Sequence, residues 1–201
     1  LQFHMMKALE ATPVPAPRML WLEDDPTPLG SPFYVMERLE GQVPSDSPPY
    51  QTTGWIFDLP AVDRTRLWWS GLEAMARVHK LDWSVPAFSF LPRPAAGLTP
   101  LQAQLAYWNH YMDWGMDRSR HPLLETCLRW LKANQPADEP TAICWGDARI
   151  SNQIFSGCEC IAVIDWEMVF LGNPLADLAW FIGMDRCFTE GIGVKPLAGI
   201  P

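Results

Sequence analysis

A proline-rich segment at residues 44–60 separates two parts of the sequence that have different hydrophobic patterns. Before this segment, the apolar runs Met19 to Glu23 and Phe33 to Met36 have the length of strands, and the turn-forming residues between them predict a β-hairpin. After it, apolar residues recur every three to four positions, which is the period of α-helices, over residues 63–81, 99–112 and 122–134. The change of period predicts two lobes, with their boundary in the proline-rich segment.

Composition narrows the class of protein. Hydrophobic residues make up 48% and charged residues 19% of the 201 residues, which is typical of a folded globular protein. The formal net charge of -8 argues against a nucleic-acid-binding protein, which normally presents a basic face. No apolar run approaches the roughly 18 residues that a membrane span needs, so no membrane partner is predicted. The five cysteines have no Cys-x-x-Cys spacing and the start lacks a signal-peptide layout, which predicts reduced thiols and a cytoplasmic location.

Both ends have the pattern of interior sequence. Leu1 adjoins an apolar repeat at helical spacing that runs from Phe3 to Leu9, and the proline run at 13–17 ends this predicted helix. Pro201 closes a loop-like stretch. The chain is therefore expected to be part of a longer protein.

Several of the 11 tryptophans fall on predicted helices. Trp68 lies on the apolar face of the helix at 63–81, and Trp108 lies on a helix that a capping box at residues 99–102 opens. These faces are interpreted as core. The alternative, which the sequence leaves open, is an aromatic wall that binds a planar or hydrophobic substrate.

The segment at residues 141–184 carries the residues that favour chemistry. Asp147 and Asp165 each directly follow a predicted strand, and Arg149 and Asn152 lie in the loop after the first aspartate. Carboxylate and amide oxygens are the hard ligands that Mg²⁺ prefers, and Mg²⁺ is usually held by few protein groups together with substrate phosphates. The arginine offers a fixed fork of donors for phosphate. A base, two metal-binding oxygens and a phosphate-binding cation are the parts of a phosphoryl-transfer site.

The spacing also has a purely structural alternative. Asp and Asn are favoured turn residues, so the pattern Asp-x-Arg-x-x-Asn is weak evidence by itself. The strand that ends at Asp165 is otherwise apolar, and an unpaired carboxylate there is costly, which favours a functional role. The surrounding predicted elements are strands at 141–145, 153–155 and 161–164, a loop at 172–174 and a helix at 175–184.

Three blocks of this segment resemble the aminoglycoside phosphotransferase family. They are Trp-Gly-Asp at 145–147 followed by Asn152, Ala-Val-Ile-Asp-Trp-Glu at 162–167, and Gly-Asn-Pro-Leu-Ala-Asp-Leu-Ala at 172–179. Residues 8–17 and 33–41 are similar to the end of that family's N-lobe and its hinge, and the branch that resembles this chain has kinase-like domains fused to acyl-CoA dehydrogenases. The resemblance implies an α+β, protein-kinase-like fold, with a partial N-lobe at 1–41 and a mostly helical C-lobe at 42–201.

The same resemblance implies an enzyme that uses ATP and Mg²⁺ to phosphorylate a hydroxyl of a small molecule. Asp147 would be the catalytic base that orients or deprotonates the hydroxyl. Arg149, at the place of a catalytic-loop lysine in protein kinases, would contact the γ-phosphate. Asn152 and Asp165 would hold Mg²⁺ against the phosphates.

Other positions receive supporting roles from the resemblance. The backbone of the hinge would hydrogen-bond the adenine of ATP through Glu37, Arg38 and Leu39. Asp177 would brace the catalytic loop from the last helix. Glu167 would touch a metal or substrate, or lie at the surface.

Three departures from the family pattern favour a different class, a non-catalytic pseudokinase-like module that binds a nucleotide or ligand. Trp145 replaces a common histidine, Gln2 stands where a glutamate pairs with the ATP-binding lysine, and the segment with that lysine would precede Leu1. A third alternative is a metal-dependent hydrolase that uses Asp147 and Asp165, although no histidine cluster supports a dinuclear site.

The sequence does not identify the phosphate acceptor. Asp113 and Asp117 lie on the helical region that lines the acceptor site in the resembled family, where they would suit an amine-bearing acceptor. The alternative is an ordinary solvated face. Since one fold hosts many functions, the acceptor has to be argued from its own site.

Overall fold

The computed structural model describes residues 1–115, 121–136, 140–191 and 193–201. The helices are α1 (Gln2–Leu9), α2 (Trp55–Asp58), α3 (Ala61–His79), α4 (Pro100–Gly115), α5 (Pro122–Ala133) and α6 (Leu175–Arg186). The strands are β1 (Met19–Glu23), β2 (Phe33–Met36), β3 (Ala142–Cys144), β4 (Gln153–Ser156), β5 (Glu159–Val163) and β6 (Phe170–Gly172). Short 3₁₀ turns lie at Pro86–Phe88 and Ile150–Asn152, and a π-turn lies at Cys187–Gly191.

The first part of the chain folds as a helix against a hairpin. β1 and β2 pair antiparallel with Met19 opposite Met36, which confirms the predicted hairpin. α1 buries Met5, Met6 and Leu9, and it packs against β1. These apolar residues stand on one side of the helix because positions four apart lie one turn from each other.

The predicted long helix is confirmed as α3, which packs against β3 and β5. Trp68 and Met75 lie on its buried face, as the helical spacing predicts. A close approach of helix and strand occurs at Gly71, whose carbonyl oxygen accepts a hydrogen bond of 2.9 Å from the amide of Gln153. A Cβ atom at Gly71 would overlap the Gln153 side-chain oxygen, so a larger residue would require the Gln153 side chain to shift.

Two small antiparallel sheets follow the helices. β4 and β5 form a hairpin with Gln153 opposite Val163, and β3 pairs with β6 with Ile143 opposite Leu171. The predicted strands at 141–145, 153–155 and 161–164 are confirmed. The prediction of a loop at 172–174 is wrong at Gly172, which closes β6. That strand forms by pairing with a distant partner, which a local apolar pattern does not reveal.

The connection between the two parts runs along the β4–β5 hairpin. Gln42 and Phe155 exchange two backbone hydrogen bonds of 2.8 Å, so the segment after β2 is anchored to β4. Buried residues of α1, α3 and β5 belong to one hydrophobic cluster. The division into lobes at 1–41 and 42–201 stays a prediction. Among the described residues, no helix combines the length and apolar character needed to cross a membrane.

The capping box that opens α4 is confirmed. The backbone N–H of Gln102 donates to Thr99 Oγ1 at 3.2 Å, and Gln102 Oε1 accepts from the N–H of Thr99 at 3.0 Å. The prediction that the aromatic face of α4 is core is wrong, because Trp108 is 39% exposed and Tyr111 and Trp114 are more so. Aromatic residues lie at 107, 108, 111 and 114. Their spacing is the same for a buried helix face and for a partly exposed one, so it does not distinguish the two.

Candidate active site

The loop that follows β3 is held by a buried carboxylate. Asp177, on α6, is 1% exposed, and its two oxygens accept backbone N–H groups of Trp145 at 2.6 Å and Gly146 at 2.9 Å. His79 Nε2 of α3 lies 2.8 Å from the same carboxylate. These contacts confirm the bracing role predicted for Asp177, since a buried carboxylate needs such partners.

Gly146 allows the loop to lie directly on the segment that precedes β6. Its φ angle is 94°, and a Cβ atom there would overlap the carbonyl oxygen of Met168. Glycine meets both requirements, because it alone adopts this backbone conformation without steric cost. The next residue, Asp147, keeps 14% of its side chain exposed.

Three side chains fix the carboxylate of Asp147. Its Oδ2 accepts a hydrogen bond of 2.8 Å from Asn152 Nδ2, which also donates to the Asp147 carbonyl at 3.0 Å. Arg149 Nε lies 2.9 Å from the same oxygen, an ion-pair distance at which its N–H is not aimed for a hydrogen bond. Oδ1 accepts from the indole N–H of Trp180 at 2.9 Å. The structure therefore brings Asp147, Arg149 and Asn152 together as the sequence predicts.

Arg149 is shared between two carboxylates. Its Nη1 lies 2.6 Å from Asp46 Oδ2, in the segment that joins the two parts of the chain. Both side chains are less than one third exposed, which strengthens the attraction relative to an open surface pair. Sequence reasoning missed Asp46, because the partners are 103 residues apart and no local signal connects them.

Asp165 lies two residues past Val163, where the β4–β5 hairpin ends. Its φ angle is 61°, and it is the one non-glycine residue with positive φ in the described part of the chain. Asp tolerates this left-handed conformation better than most residues, and such outliers concentrate at functional sites. The N–H of Ile164 donates to the carbonyl of Asn152 at 3.0 Å, so the residue before Asp165 is bonded to the other predicted magnesium ligand through the backbone.

Gln2 and Trp145, two of the three departures from the family pattern, both touch this region. Gln2 Nε2 lies 3.4 Å from Asp165 Oδ1, and Gln2 Oε1 accepts from the Tyr34 hydroxyl at 2.8 Å. Burial, and next the charge of Asp165, raise the pKa of Tyr34. Trp145 is fully buried and its indole donates to the Ile164 carbonyl at 2.9 Å, which ties the loop to the strand before Asp165.

The donor set suits Mg²⁺. The amide nitrogen of Asn152 donates to Asp147, so the amide oxygen is the atom of this side chain that would bind a cation. Asp165 adds a carboxylate. Among the described residues, no group of three or more His, Cys, Asp and Glu side chains could enclose a metal ion. An ion here would therefore be completed by phosphate and water, as is usual for Mg²⁺.

The predicted hinge follows β2 at the surface. The N–H of Glu37 donates to the carbonyl of Arg18 at 2.8 Å, and Arg38 and Glu40 form an exposed ion pair of 3.6 Å. An adenine contact by Glu37, Arg38 or Leu39 would therefore use backbone groups other than the Glu37 N–H.

A cavity of about 560 Å³ adjoins the loop. Its walls come from α4, α6, residues 92–94 and residues 167–171, and Gly146 and Trp180 connect it to Asp147. Sequence reasoning missed Trp180 as a site residue, and the helix spacing from Asp177 was the signal that could have found it. Asp113 contacts Asn109 at 3.3 Å away from this cavity, and Asp117 lies outside the described residues.

Comparisons with known proteins agree with one another. The model of the phosphotransferase enzyme family matches residues 1–200. Acyl-CoA dehydrogenase family member 11 of Rattus norvegicus is 30% identical over 184 residues, and family member 10 of Mus musculus is 29% identical over 184 residues. Each alignment covers 89% of this chain but 22% and 16% of the respective relative, so the chain spans a small share of these proteins.

Solved structures give the fold. A candidate aminoglycoside phosphotransferase from Ralstonia eutropha superposes with a TM-score of 0.75 at 26% identity, over 99% of this chain and 60% of that chain. An aminoglycoside phosphotransferase in ternary complex with ADP and hygromycin B has a TM-score of 0.61 at 16% identity, over 94% of this chain and 67% of that chain. These neighbours confirm the α+β, protein-kinase-like fold.

Proposed function

The chain belongs to the phosphotransferase enzyme family, and on this premise we propose that it transfers the γ-phosphate of ATP to a hydroxyl of a small molecule. The observation that carries the proposal is the carboxylate of Asp147, fixed by Asn152, Arg149 and Trp180 beside a cavity of small-molecule size. A fixed carboxylate next to a substrate cavity is the arrangement that general-base catalysis requires.

Asp147 is proposed as the base. As the acceptor oxygen forms its bond to the γ-phosphorus, the hydroxyl proton moves to the carboxylate and ADP leaves with the electron pair of the broken P–O bond. MgATP, when bound, supplies the transferable phosphoryl group and a leaving group with neutralised charge. Asn152 and Asp165 are proposed to hold the Mg²⁺ ion.

Arg149 is proposed to contact the γ-phosphate while Asp46 holds its guanidinium in place. A guanidinium has five N–H donors, so its two carboxylate contacts leave donors for phosphate. The backbone of Glu37 to Leu39 is proposed to bind adenine. A neighbour that holds ADP, found at 16% identity, supports nucleotide binding in a protein with this fold.

The test is ADP release by the full natural chain with a panel of hydroxyl compounds. Asp147→Asn keeps the size of the side chain but removes the base, and the rate is expected to fall roughly 10²- to 10⁴-fold. Calorimetry should show that the variant still binds MgATP. Asp58→Asn, at an exposed carboxylate on α2, is the control and should leave the rate unchanged. Phosphoryl transfer by Asp147→Asn at the normal rate would refute the base assignment.

The second candidate is a non-catalytic module that binds nucleotide. The contact of the Gln2 amide with Asp165 favours it, because an amide there cannot form the ion pair that a glutamate forms with lysine. Calorimetry with MgATP separates the two functions. A non-catalytic module would bind MgATP but release no ADP with any hydroxyl compound. A kinase should release ADP with its acceptor, and the Asp165→Ala variant should have a lower affinity for MgATP.

A further inference from the structure

We propose that the cavity beside Asp147 is the acceptor site and that it selects a hydroxyl compound with an apolar, planar body, in place of a sugar that carries several amines. This inference rests on the proposed function and specifies its substrate class. The cavity volume of about 560 Å³ lies within the range of roughly 300–1,000 Å³ that small-molecule sites occupy.

Aromatic side chains form two walls of the cavity. Tyr107 and Trp108 contribute from α4, with ring centroids 5.2 Å apart in an edge-to-face arrangement, and Trp180 contributes from α6. Tyr107 is 55% and Trp180 is 44% exposed, so both residues leave apolar surface in contact with water. Met168 and Phe170 also line the cavity. Covering this surface with a planar apolar group removes it from water and allows ring stacking.

The charged side chains of the described lining do not match a polycation. They are Arg93, Glu167 and Asp177. Both oxygens of Asp177 already accept backbone N–H groups of the loop, and Arg93 donates to the Trp83 carbonyl at 3.0 Å. Glu167 is thus the one carboxylate of the described lining that is not committed to the loop. A ligand with several ammonium groups would lose hydration at most of them without gaining a partner.

The hydrogen bonds of Asp147 indicate where the hydroxyl has to arrive. Its Oδ2 faces both Asn152 and Arg149, whereas Oδ1 accepts from Trp180. A carboxylate oxygen has two lone-pair positions, so Oδ1 keeps one for the proton of an acceptor. The ring of Trp180 lines the cavity while its N–H reaches Oδ1, so a hydroxyl at the end of an apolar body in the cavity meets this oxygen.

The test uses fluorine NMR of the full natural chain labelled with fluorotryptophan, with Trp108→Phe and Trp180→Phe to assign two resonances. Naphthaleneethanol is the apolar planar probe and kanamycin is the polyamine probe. We expect naphthaleneethanol to shift the Trp108 and Trp180 resonances with saturation, and kanamycin to leave them unmoved. Displacement of naphthaleneethanol by kanamycin, or shifts produced by kanamycin alone, would overturn the proposal.

A matched pair of substitutions on α4 localises the binding. Ala103 lines the cavity and Ala106, on the same helix, is exposed outside it. Ala103→Phe should weaken the affinity for naphthaleneethanol about tenfold or more by filling the cavity, whereas Ala106→Phe should not change it. The resonances of buried Trp145 and Trp166 report whether each variant remains folded. Equal affinity of the Ala103→Phe variant and the unaltered protein would contradict the proposal.

Binding is measured without ATP, so it is independent of phosphoryl transfer. One outcome is saturable binding of naphthaleneethanol in the cavity without ADP release from MgATP for any hydroxyl compound. This outcome would refute the proposed kinase activity but not the proposed class of ligand. ADP release with a hydroxyl compound that does not shift Trp108 or Trp180 would refute the acceptor site and leave the kinase standing.

Discussion

One contact of Asp147 links the loop that follows β3 to the neighbouring cavity. The indole N–H of Trp180 holds Oδ1 at 2.9 Å, and the indole ring lines the cavity. Trp180 thus orients the carboxylate that is proposed as the base. A hydrogen bond to a charged group contributes about 1.5–3 kcal/mol, enough to decide which way the carboxylate points.

Trp180→Phe is predicted to lower kcat about tenfold while the KM for the acceptor changes little. Phenylalanine keeps an aromatic ring in the cavity wall but cannot donate to Oδ1, and tenfold corresponds to about 1.4 kcal/mol. Steady-state ADP release as a function of acceptor concentration separates the two constants. Trp130→Phe, at a 63% exposed tryptophan on α5, is the control. A rise in KM at constant kcat would assign Trp180 to binding alone.

At the residue scale, the sequence predicted the members of the loop but not what holds them. Asp147 and Asp165 follow strands and Asn152 lies in the loop after the first of them, and these positions can be read locally. Asp46 and Trp180 reach the loop from other elements, and their contacts depend on tertiary packing that no spacing encodes. The roles of the predicted ligands and hinge residues stay predictions.

At the scale of elements, α4 depends on its first turn. The capping box of Thr99 and Gln102 satisfies two backbone N–H groups at the start of a helix that buries Leu105 but leaves its aromatic face half open. A helix with little buried surface draws more of its stability from its ends. The wall formed by Tyr107 and Trp108 therefore relies on this cap.

Thr99→Ala is predicted to lower the free energy of unfolding by about 1 kcal/mol, the usual cost of removing an N-cap hydroxyl. Urea denaturation followed by circular dichroism measures it. Thr126→Ala on α5 is the matched control, because that hydroxyl bonds back to the Pro122 carbonyl of its own helix. The control should stay within about 0.5 kcal/mol of the unaltered protein. Equal effects of the two substitutions would show that the cap does not stabilise α4.

Helices and hairpins were predictable where a period persists, as in α3 and the β1–β2 pair. β6 was not, because three residues carry no period and its partner β3 lies far away in the chain. The buried face of α4 was not predictable either. The helix carries four aromatic residues, and the sequence does not show which of them pack against another element.

At the scale of the whole molecule, the core keeps two acids in their neutral forms. Burial raises the pKa of the Cys160 thiol to about 12. Burial, and next the neighbouring Asp185 carboxylate, raise the pKa of Tyr50, whose hydroxyl donates to Asp185. In the unfolded chain both groups ionise at their ordinary values, so above pH 9 the unfolded state binds fewer protons than the native state.

Stability is therefore predicted to fall as the pH rises from about 9 towards 12. The Cys160 thiol alone accounts for about 2 kcal/mol between neutral pH and about pH 10.5, for a pKa that moves from 9.0 to about 12 on folding. Urea midpoints at a series of pH values measure this loss. Cys160→Ala should show a smaller alkaline decline than the unaltered protein. Identical slopes for the two proteins would refute the contribution of this thiol.

The backbone at Asp165 makes that position useful for sorting relatives. The left-handed backbone conformation at the end of the hairpin is adopted most easily by Gly, Asn or Asp. Of these three residues, only Asp carries a negative charge. Glutamate would restore the charge but not the conformation. A homologous chain with Asn or Gly there could keep the hairpin unchanged while lacking the proposed metal ligand. One column of an alignment would thus separate chains that retain the proposed chemistry from those that retain only its scaffold.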